Sequence, residues 1–213
     1  ASSEYSQNRF EFYEIENDVS SIHAIVYSKD EIGTAKALAK NMTNNAPFTI
    51  GKNCTHIGSE YDYIGGVIGQ LQGDADGLYN TANGVITIGK SDYTGYVLLG
   101  GCLGTAPAWS DNNKEQVNFK IENCENRAAI NYYGVSTSNL GLYVGGIFGY
   151  IYEQTLGGVL IAAETNHIDN YGPIKIESDN QNVIKMGGIA AYMGGTSSFV
   201  HNHESGTINL NVN

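Results

Sequence analysis

A Gly-Gly phrase returns four times along this chain, and it limits the folds open to the sequence more than any other feature. It reads Tyr63-Ile64-Gly65-Gly66-Val67-Ile68-Gly69, then Leu99-Gly100-Gly101-Cys102-Leu103-Gly104. The later copies are Tyr143-Val144-Gly145-Gly146-Ile147-Phe148-Gly149-Tyr150 and Met186-Gly187-Gly188-Ile189-Ala190-Ala191-Tyr192. Their spacing, roughly 35 to 45 residues, is the period of solenoids and propellers. A second phrase, Asn-x-Gly-x-Ile-x-Ile, falls between them. It appears as Asn83 to Ile88, as Asn170 to Ile176 and, altered, as Ser205 to Val212, with a degenerate copy at Asn126 to Tyr132. Each repeat thus offers two short strands joined by loops of uneven length.

Both phrases alternate apolar and polar positions. In Gly206-Thr207-Ile208-Asn209-Leu210-Asn211-Val212 every second residue is apolar, which predicts one buried and one wet face. The glycines of Val144 to Gly149 permit close approach of a neighbouring strand. Such strands cannot each build a core, but stacked in parallel they bury a continuous column of Ile, Val and Leu. The expected fold is all-β, a right-handed parallel β-helix; a β-propeller or an antiparallel sandwich is the fallback.

The head of the chain reads differently. Residues 1 to 20 are polar and aromatic, with Phe10, Phe12, Tyr13 and Ile15 in loose alternation. Ile22 to Tyr27 predicts a strand. Ser28-Lys29-Asp30-Glu31 is a capping box, and Ile32, Ala35, Ala39 and Met42 follow at helical spacing. Asn44-Asn45 would end that helix, with a strand at Phe48-Thr49-Ile50. The expectation is a leader and a capping strand-helix-strand over residues 1–56, followed by the Gly-Gly repeat β-helix over 57–213. A cap is needed because an open solenoid end exposes core and unpaired backbone.

Composition narrows the partners. Of 213 residues, 41% are hydrophobic and 15% charged, enough apolar material for a core. The 27 glycines follow no Gly-X-Y period, which excludes collagen. A formal charge of −11 with no Lys/Arg run disfavours nucleic acid and anionic membrane surfaces. No apolar run approaches the roughly 20 residues of a membrane-spanning helix, so no membrane insertion is expected. Ala1-Ser2-Ser3-Glu4 reads as a processed or a cut end, so any export signal would be out of view. The three cysteines, Cys54, Cys102 and Cys124, lack C-x-x-C spacing, which disfavours structural zinc. Cys54 and Cys124 read as small buried hydrophobes, or as a disulfide if their segments stack.

The phrases resemble the Gly-Gly-Ile/Leu-x-Gly-Tyr repeats of bacterial surface proteins, the GLUG-type repeats of Bacteroidetes-like cell-envelope proteins. Val144 to Tyr150 matches the first half of that pattern. Asn123-Cys124-Glu125-Asn126 matches the start of the second half and Asn170 to Ile174 its end. The resemblance covers about residues 57–213. It implies a β-helical scaffold and an extracellular or cell-surface location, and it carries no catalytic residues. Cys102 after the second Gly-Gly pair, and the insert from Thr105 to Asn118, depart from the pattern.

That insert holds the only tryptophan. Trp109 beside Asp111 would suit sugar stacking with hydroxyl hydrogen bonds; otherwise Trp109 folds back on the scaffold. Tyr132, Tyr133, Tyr143, Tyr150 and Tyr152 form either a binding face for glycan or protein or, the preferred reading, a structural ladder. The ligand-binding candidates are therefore Trp109, Asp111, Tyr132 and Tyr133. Asp74-Ala75-Asp76-Gly77 reads as a solvated turn, short of a calcium loop. His201 and His203, with His167 one repeat earlier, lack a third ligand, so no metal and no cofactor is expected. Asn41-Met42-Thr43 and Asn53-Cys54-Thr55 match a glycosylation sequon, as chance allows in so Asn-rich a chain. Glu153, Glu164, Asp169 and Glu177 show no repeat-related pairing of the kind a polysaccharide lyase or hydrolase needs. No nucleophile elbow or P-loop is present.

The sequence therefore favours a non-enzymatic surface or secreted repeat domain, adhesin-like, that binds glycan or protein or acts as a spacer. The alternatives are a carbohydrate-active β-helix enzyme and a subunit of an extracellular fibre or phage-like spike that self-associates end to end.

Overall fold

The computed structural model describes residues 11–17, 25–27, 37–50, 61–89, 92–93, 96–106, 119–133, 135–136, 141–156, 159–178 and 184–212. Among them there is no helix. The repeated phrases lay down four walls of parallel strands. The first wall holds β5 (Tyr61–Gly65), β9 (Tyr96–Gly100), β14 (Leu142–Gly145) and β20 (Ile184–Gly187). The second holds β2 (Ile25–Tyr27), the start of β6 (Ile68–Asn80), β10 (Leu103–Ala106), β15 (Phe148–Ile151) and β21 (Ala190–Met193). The third holds β1 (Glu11–Asn17), β3 (Ala37–Asn44), the rest of β6, β11 (Phe119–Asn126), β18 (Ala163–Asn170) and β22 (Gly195–Asn202). The fourth holds β4 (Phe48–Ile50), β7 (Ile86–Ile88), β12 (Ile130–Tyr132), β19 (Ile174–Ser178) and β23 (Ile208–Val212). In the connections, β8 (Asp92–Tyr93) pairs with β13 (Val135–Ser136), and β16 (Gln154–Leu156) forms a hairpin with β17 (Val159–Ile161). Each repeat is thus one rung that visits the four walls in turn, and each strand pairs with its counterpart in the next rung. This stack of parallel sheets is consistent with a β-solenoid.

Alternation places the core. Ile86, Ile130 and Ile174 align in one column of the fourth wall, and Ile88, Tyr132 and Ile176 in another. With Ile64, Val97, Leu99, Leu142 and Val144 from the first wall they form one hydrophobic cluster. A second cluster lies between the second and third walls, built on Ile68, Leu103 and Phe148 against Leu78, Ile121 and Ile168.

Between the two clusters runs a polar seam, and it explains why the two phrases recur together. Asn44, Asn80, Asn126 and Asn170 close the third-wall strands and are fully buried or nearly so. Each amide donates to the next: Asn44 Nδ2 to Asn80 Oδ1 at 2.9 Å, Asn80 to Asn126 at 3.0 Å, Asn126 to Asn170 at 3.0 Å, and Asn170 to Asn202 at 2.8 Å. A buried primary amide needs both donors and its acceptor met. The ladder meets one donor, and Nδ2 of Asn126 gives its second to the Ala128 carbonyl at 3.0 Å. The second glycine of each Gly-Gly pair closes on this seam. A Cβ on Gly101 would collide with the Gly146 carbonyl and stand 2.5 Å from Asn126 Cγ. The last glycine of the phrase allows the second wall to fold back on the first: a Cβ on Gly104 would lie 2.5 Å from the Gly69 oxygen and 2.6 Å from the Ile64 nitrogen.

The capping helix expected over Ser28 to Asn44 is overturned where the chain is described: Ala37–Asn44 is strand β3, paired with β1 and β6. Residues 28–36, including the capping box, lie outside the described residues. The helical spacing has a physical origin. Asn41 has φ 50°, and the register passes from Lys40 to Met42 without it. One left-handed residue shifts the alternation by one position, as a β-bulge does. Ala39 and Met42, three apart, therefore both face the core. The same device recurs in β6, β11, β18 and β22, at Gly77 (φ 85°), Asn123 (φ 56°), His167 (φ 53°) and Phe199 (φ 51°). Ala75 with Leu78, and Ile121 with Cys124, repeat the three-residue inward spacing.

Candidate functional site

The bulge column points outward, and it changes character along the stack. Asn and Gly tolerate a left-handed backbone well; His and Phe do so at a cost of about 1–2 kcal/mol. The last two rungs nevertheless carry His167 and Phe199, with rings stacked at 4.9 Å and 14°. Phe199 is 64% exposed. Nothing in the fold requires an aromatic there, since Asn41, Gly77 and Asn123 fill the same position in the earlier rungs.

The residues that precede His167 and Phe199 in the chain, Asn166 and Ser198, line an open groove of about 210 Å³ on the third wall, together with Glu122, Glu164, Thr165, Thr196 and Ser197. Its groups are hydroxyls, an amide and carboxylates. Ser198 Oγ donates to Asn166 Oδ1 at 3.0 Å. Lys120 Nζ lies 3.8 Å from Glu164 Oε2, and both side chains are well exposed. The groove offers hydrogen bonds in both senses, and the exposed Phe199 follows its lining residue Ser198 in the chain.

A second aromatic surface lies where the first and second walls meet. Tyr150 and Tyr192 stack at 4.4 Å and 13°, Tyr143 meets Tyr150 at 5.4 Å, and Tyr152 meets Tyr150 at 4.2 Å. Tyr96 and Lys185 pack on Tyr143. These rings spend much of their area on one another, as in the structural ladder preferred from sequence.

The sequence candidates scatter. Trp109 and Asp111 lie outside the described residues, as does Cys54. Tyr132 is 1% exposed and belongs to the core column between Ile88 and Ile176, so it presents no ring to a ligand. Tyr133, next along the strand, is half-buried with Lys175 Nζ 5.6 Å from its ring centre. Alternation puts the two rings on opposite sides, so they cannot form one site. His201 and His203 both approach Asp169 Oδ1, at 3.5 and 2.7 Å, and His203 stacks on Tyr171 at 3.8 Å. His167 joins Phe199 instead. Among the described residues no cluster of His, Cys, Asp or Glu has the arrangement of a metal site. Asp76 serves Lys40 at 3.5 Å and Asn123 at 2.7 Å, while Asp74 accepts from the Lys120 amide at 2.9 Å. These are rung-to-rung ties on a strand, and the expected turn at Asp74–Gly77 is part of β6.

Cys102 and Cys124 are free, buried thiols. Burial pushes Cys124 up to about 12 and Cys102 well above its ordinary value, so neither is a nucleophile near neutral pH. Sequence reasoning missed Phe199 and the groove. The visible signal was an aromatic in the place that Asn or Gly fills elsewhere, readable only once the bulge register is known. No family model matches the chain, and neither curated proteins nor solved structures give a match.

Proposed function

We propose that this chain is a non-enzymatic repeat domain of a bacterial cell-surface or secreted protein, a right-handed parallel β-helix that binds a neutral glycan on its third wall. The observation that carries the reading is Phe199: a strained, exposed ring next in the chain to Ser198, which lines a groove of hydroxyl, amide and carboxylate groups. A sugar presents an apolar face to a ring and hydroxyls to polar neighbours, and this pairing matches both. The net charge of −11 disfavours an acidic polysaccharide. The resemblance to GLUG-type repeats supports the surface location. Glu122 and Glu164 share the groove, and Glu164 is exposed with Lys120 Nζ 3.8 Å away.

A glycan array with wild type, Phe199→Ala and Ser198→Ala tests the reading. Binding of a neutral glycan that both substitutions weaken, with unchanged circular dichroism, is the expected result. Absence of binding to any glycan refutes glycan recognition and leaves the spacer role. Release of shortened sugars from a bound polysaccharide would instead establish the carbohydrate-active enzyme.

A further inference from the structure

Among the described residues, one rung fills two neighbouring core columns with cysteine. The register aligns Gly65 with Gly100, Gly145 and Gly187, and Ile68 with Leu103, Phe148 and Ala190. Between those anchors Cys102 falls in one column with Val67, Ile147 and Ile189. Cys124 stands in the third-wall column of Leu78, Ile168 and Val200. All of these side chains belong to one hydrophobic cluster or pack against it. Three other rungs fill the two columns with branched aliphatics: Val67 with Leu78, Ile147 with Ile168, Ile189 with Val200. A single buried cysteine is a small hydrophobe. Two that replace both aliphatics of the same rung need a further reason.

The contacts of Cys102 place it against Cys124. Its Sγ donates to the Glu125 carbonyl at 3.2 Å and to the Leu78 carbonyl at 3.6 Å. Glu125 follows Cys124 in the chain, and Leu78 is the register partner of Cys124 in the preceding rung. The Cys102 sulfur thus sits on the backbone that flanks Cys124. Burial first, and Cys124 second, push the Cys102 thiol up, so the two groups sense each other. Cys124 Sγ rests 3.6 Å from the Glu122 carbonyl of its own strand. A thiol is a weak donor, so these bonds cost little to release.

We infer that Cys102 and Cys124 are the site of an intramolecular disulfide, formed as the chain folds in an oxidising compartment; the dithiol is the form that a reducing compartment leaves. The chemistry is exchange with a small-molecule disulfide. One cysteine thiolate attacks a donor sulfur and expels one donor thiolate, leaving a mixed disulfide. The other cysteine thiolate attacks the protein sulfur of that bond and expels the second donor thiolate. The two protein thiols lose two electrons and two protons, and the donor disulfide becomes two thiols. Burial sets the timing. Cys102 and Cys124 are 0% and 1% exposed, so exchange runs in the open chain and the closed rung then shields the bond. The cysteines are 22 residues apart (124 − 102) with the insert from Thr105 to Asn118 between them. The bond therefore closes that loop in the unfolded chain and restricts its freedom. The inference does not rest on glycan binding.

Refolding tests it. In a Cys54→Ser background, the reduced protein is unfolded in urea and refolded at about pH 8 with glutathione and glutathione disulfide. The product should be lighter by two hydrogens, and a non-reducing digest should join the peptides of Cys102 and Cys124. Its circular dichroism should match that of the dithiol, with a urea midpoint higher by about 1 M. Cys102→Val with Cys124→Leu, copying Val67 and Leu78, should fold and gain nothing from the oxidising buffer. Free thiols or glutathione adducts at both positions overturn the inference, as do dimers joined through these cysteines. A cross-linked product less stable than the dithiol overturns it equally. The folded dithiol, held in the same buffer without urea, should stay unreacted; prompt conversion overturns the confinement of the reaction to folding.

Discussion

Replacing Asn126 by alanine tests whether the seam holds the fold together. Asn126 is fully buried and joins four hydrogen bonds: it accepts from Asn80 Nδ2 at 3.0 Å and the Ala128 amide at 3.2 Å, and donates to Asn170 Oδ1 and the Ala128 carbonyl, both at 3.0 Å. Alanine leaves all of these partners buried without it. At about 1 kcal/mol for each buried group deprived of its partner, the cost is about 4 kcal/mol. With a urea slope of about 2–3 kcal/mol/M, the unfolding midpoint should fall by about 1.3–2 M, read by far-UV circular dichroism. Asn202→Ala is the control. It removes two of the same bonds at an exposed end, so about 1 kcal/mol is expected. If Asn126→Ala costs no more than Asn202→Ala, the ladder is a spectator and the reasoning fails. Asn126→Asp adds a test of sign. Its carboxylate would face two acceptors, Asn170 Oδ1 and the Ala128 carbonyl, and has no proton to give them. Burial raises its folded pKa above the unfolded value, so its stability relative to wild type is highest at low pH and is lost as pH rises through the folded pKa. Acidification from about pH 7 to about pH 4 should therefore narrow the gap between the variant and wild type.

Three further outcomes follow from named contacts. Gly101→Ala should cost about 3 kcal/mol or more, or abolish folding, because the added methyl meets the Gly146 carbonyl and the Asn126 amide; soluble yield and urea midpoint read it. Phe199→Asn should eliminate glycan binding while leaving the melting temperature unchanged or raised by up to about 3 °C, since relief of the left-handed strain offsets the lost stack on His167. In a Cys54→Ser background, Cys102 and Cys124 should resist Ellman's reagent at pH 8 until urea unfolds the chain; prompt labelling of the folded protein would contradict their burial and the raised Cys124 pKa of about 12.

The strands of the fourth wall were readable from the sequence because nothing interrupts their alternation. Ile174, Ile176, Ile208 and Leu210 face the core side at every second residue, and the period-two pattern says so directly. The Gly-Gly phrase revealed a close approach but not what approaches. That Gly101 meets Asn126 depends on two walls folding together across 25 residues of separation (126 − 101), a relation no local period contains. The side of Tyr132 is hidden for a related reason: its register partners are Ile88 and Ile176, and those settle it.

The false helix at Ala39 and Met42 shows how a bulged solenoid conceals itself. A strand with one left-handed residue per rung puts its inward side chains at spacings of two and then three, and the three is what an amphipathic helix also displays. Ala39 and Met42 therefore satisfied a helical template, and the capping box upstream reinforced it. What distinguishes the two is the residue at the break. A helix has no use for a conformationally permissive residue in mid-face, whereas the bulge selects Asn41, Gly77 and Asn123 in successive rungs. Aligned on the asparagine that closes each third-wall strand, the break stands three residues before it every time: Asn41 before Asn44, Gly77 before Asn80, Asn123 before Asn126, His167 before Asn170, Phe199 before Asn202. Read in that frame, the first three rungs are ordinary and the last two are not. The departure that costs backbone strain is also the one that exposes an aromatic ring next in the chain to Ser198 of the groove, and that coincidence is the physical reason to look for a ligand at Phe199.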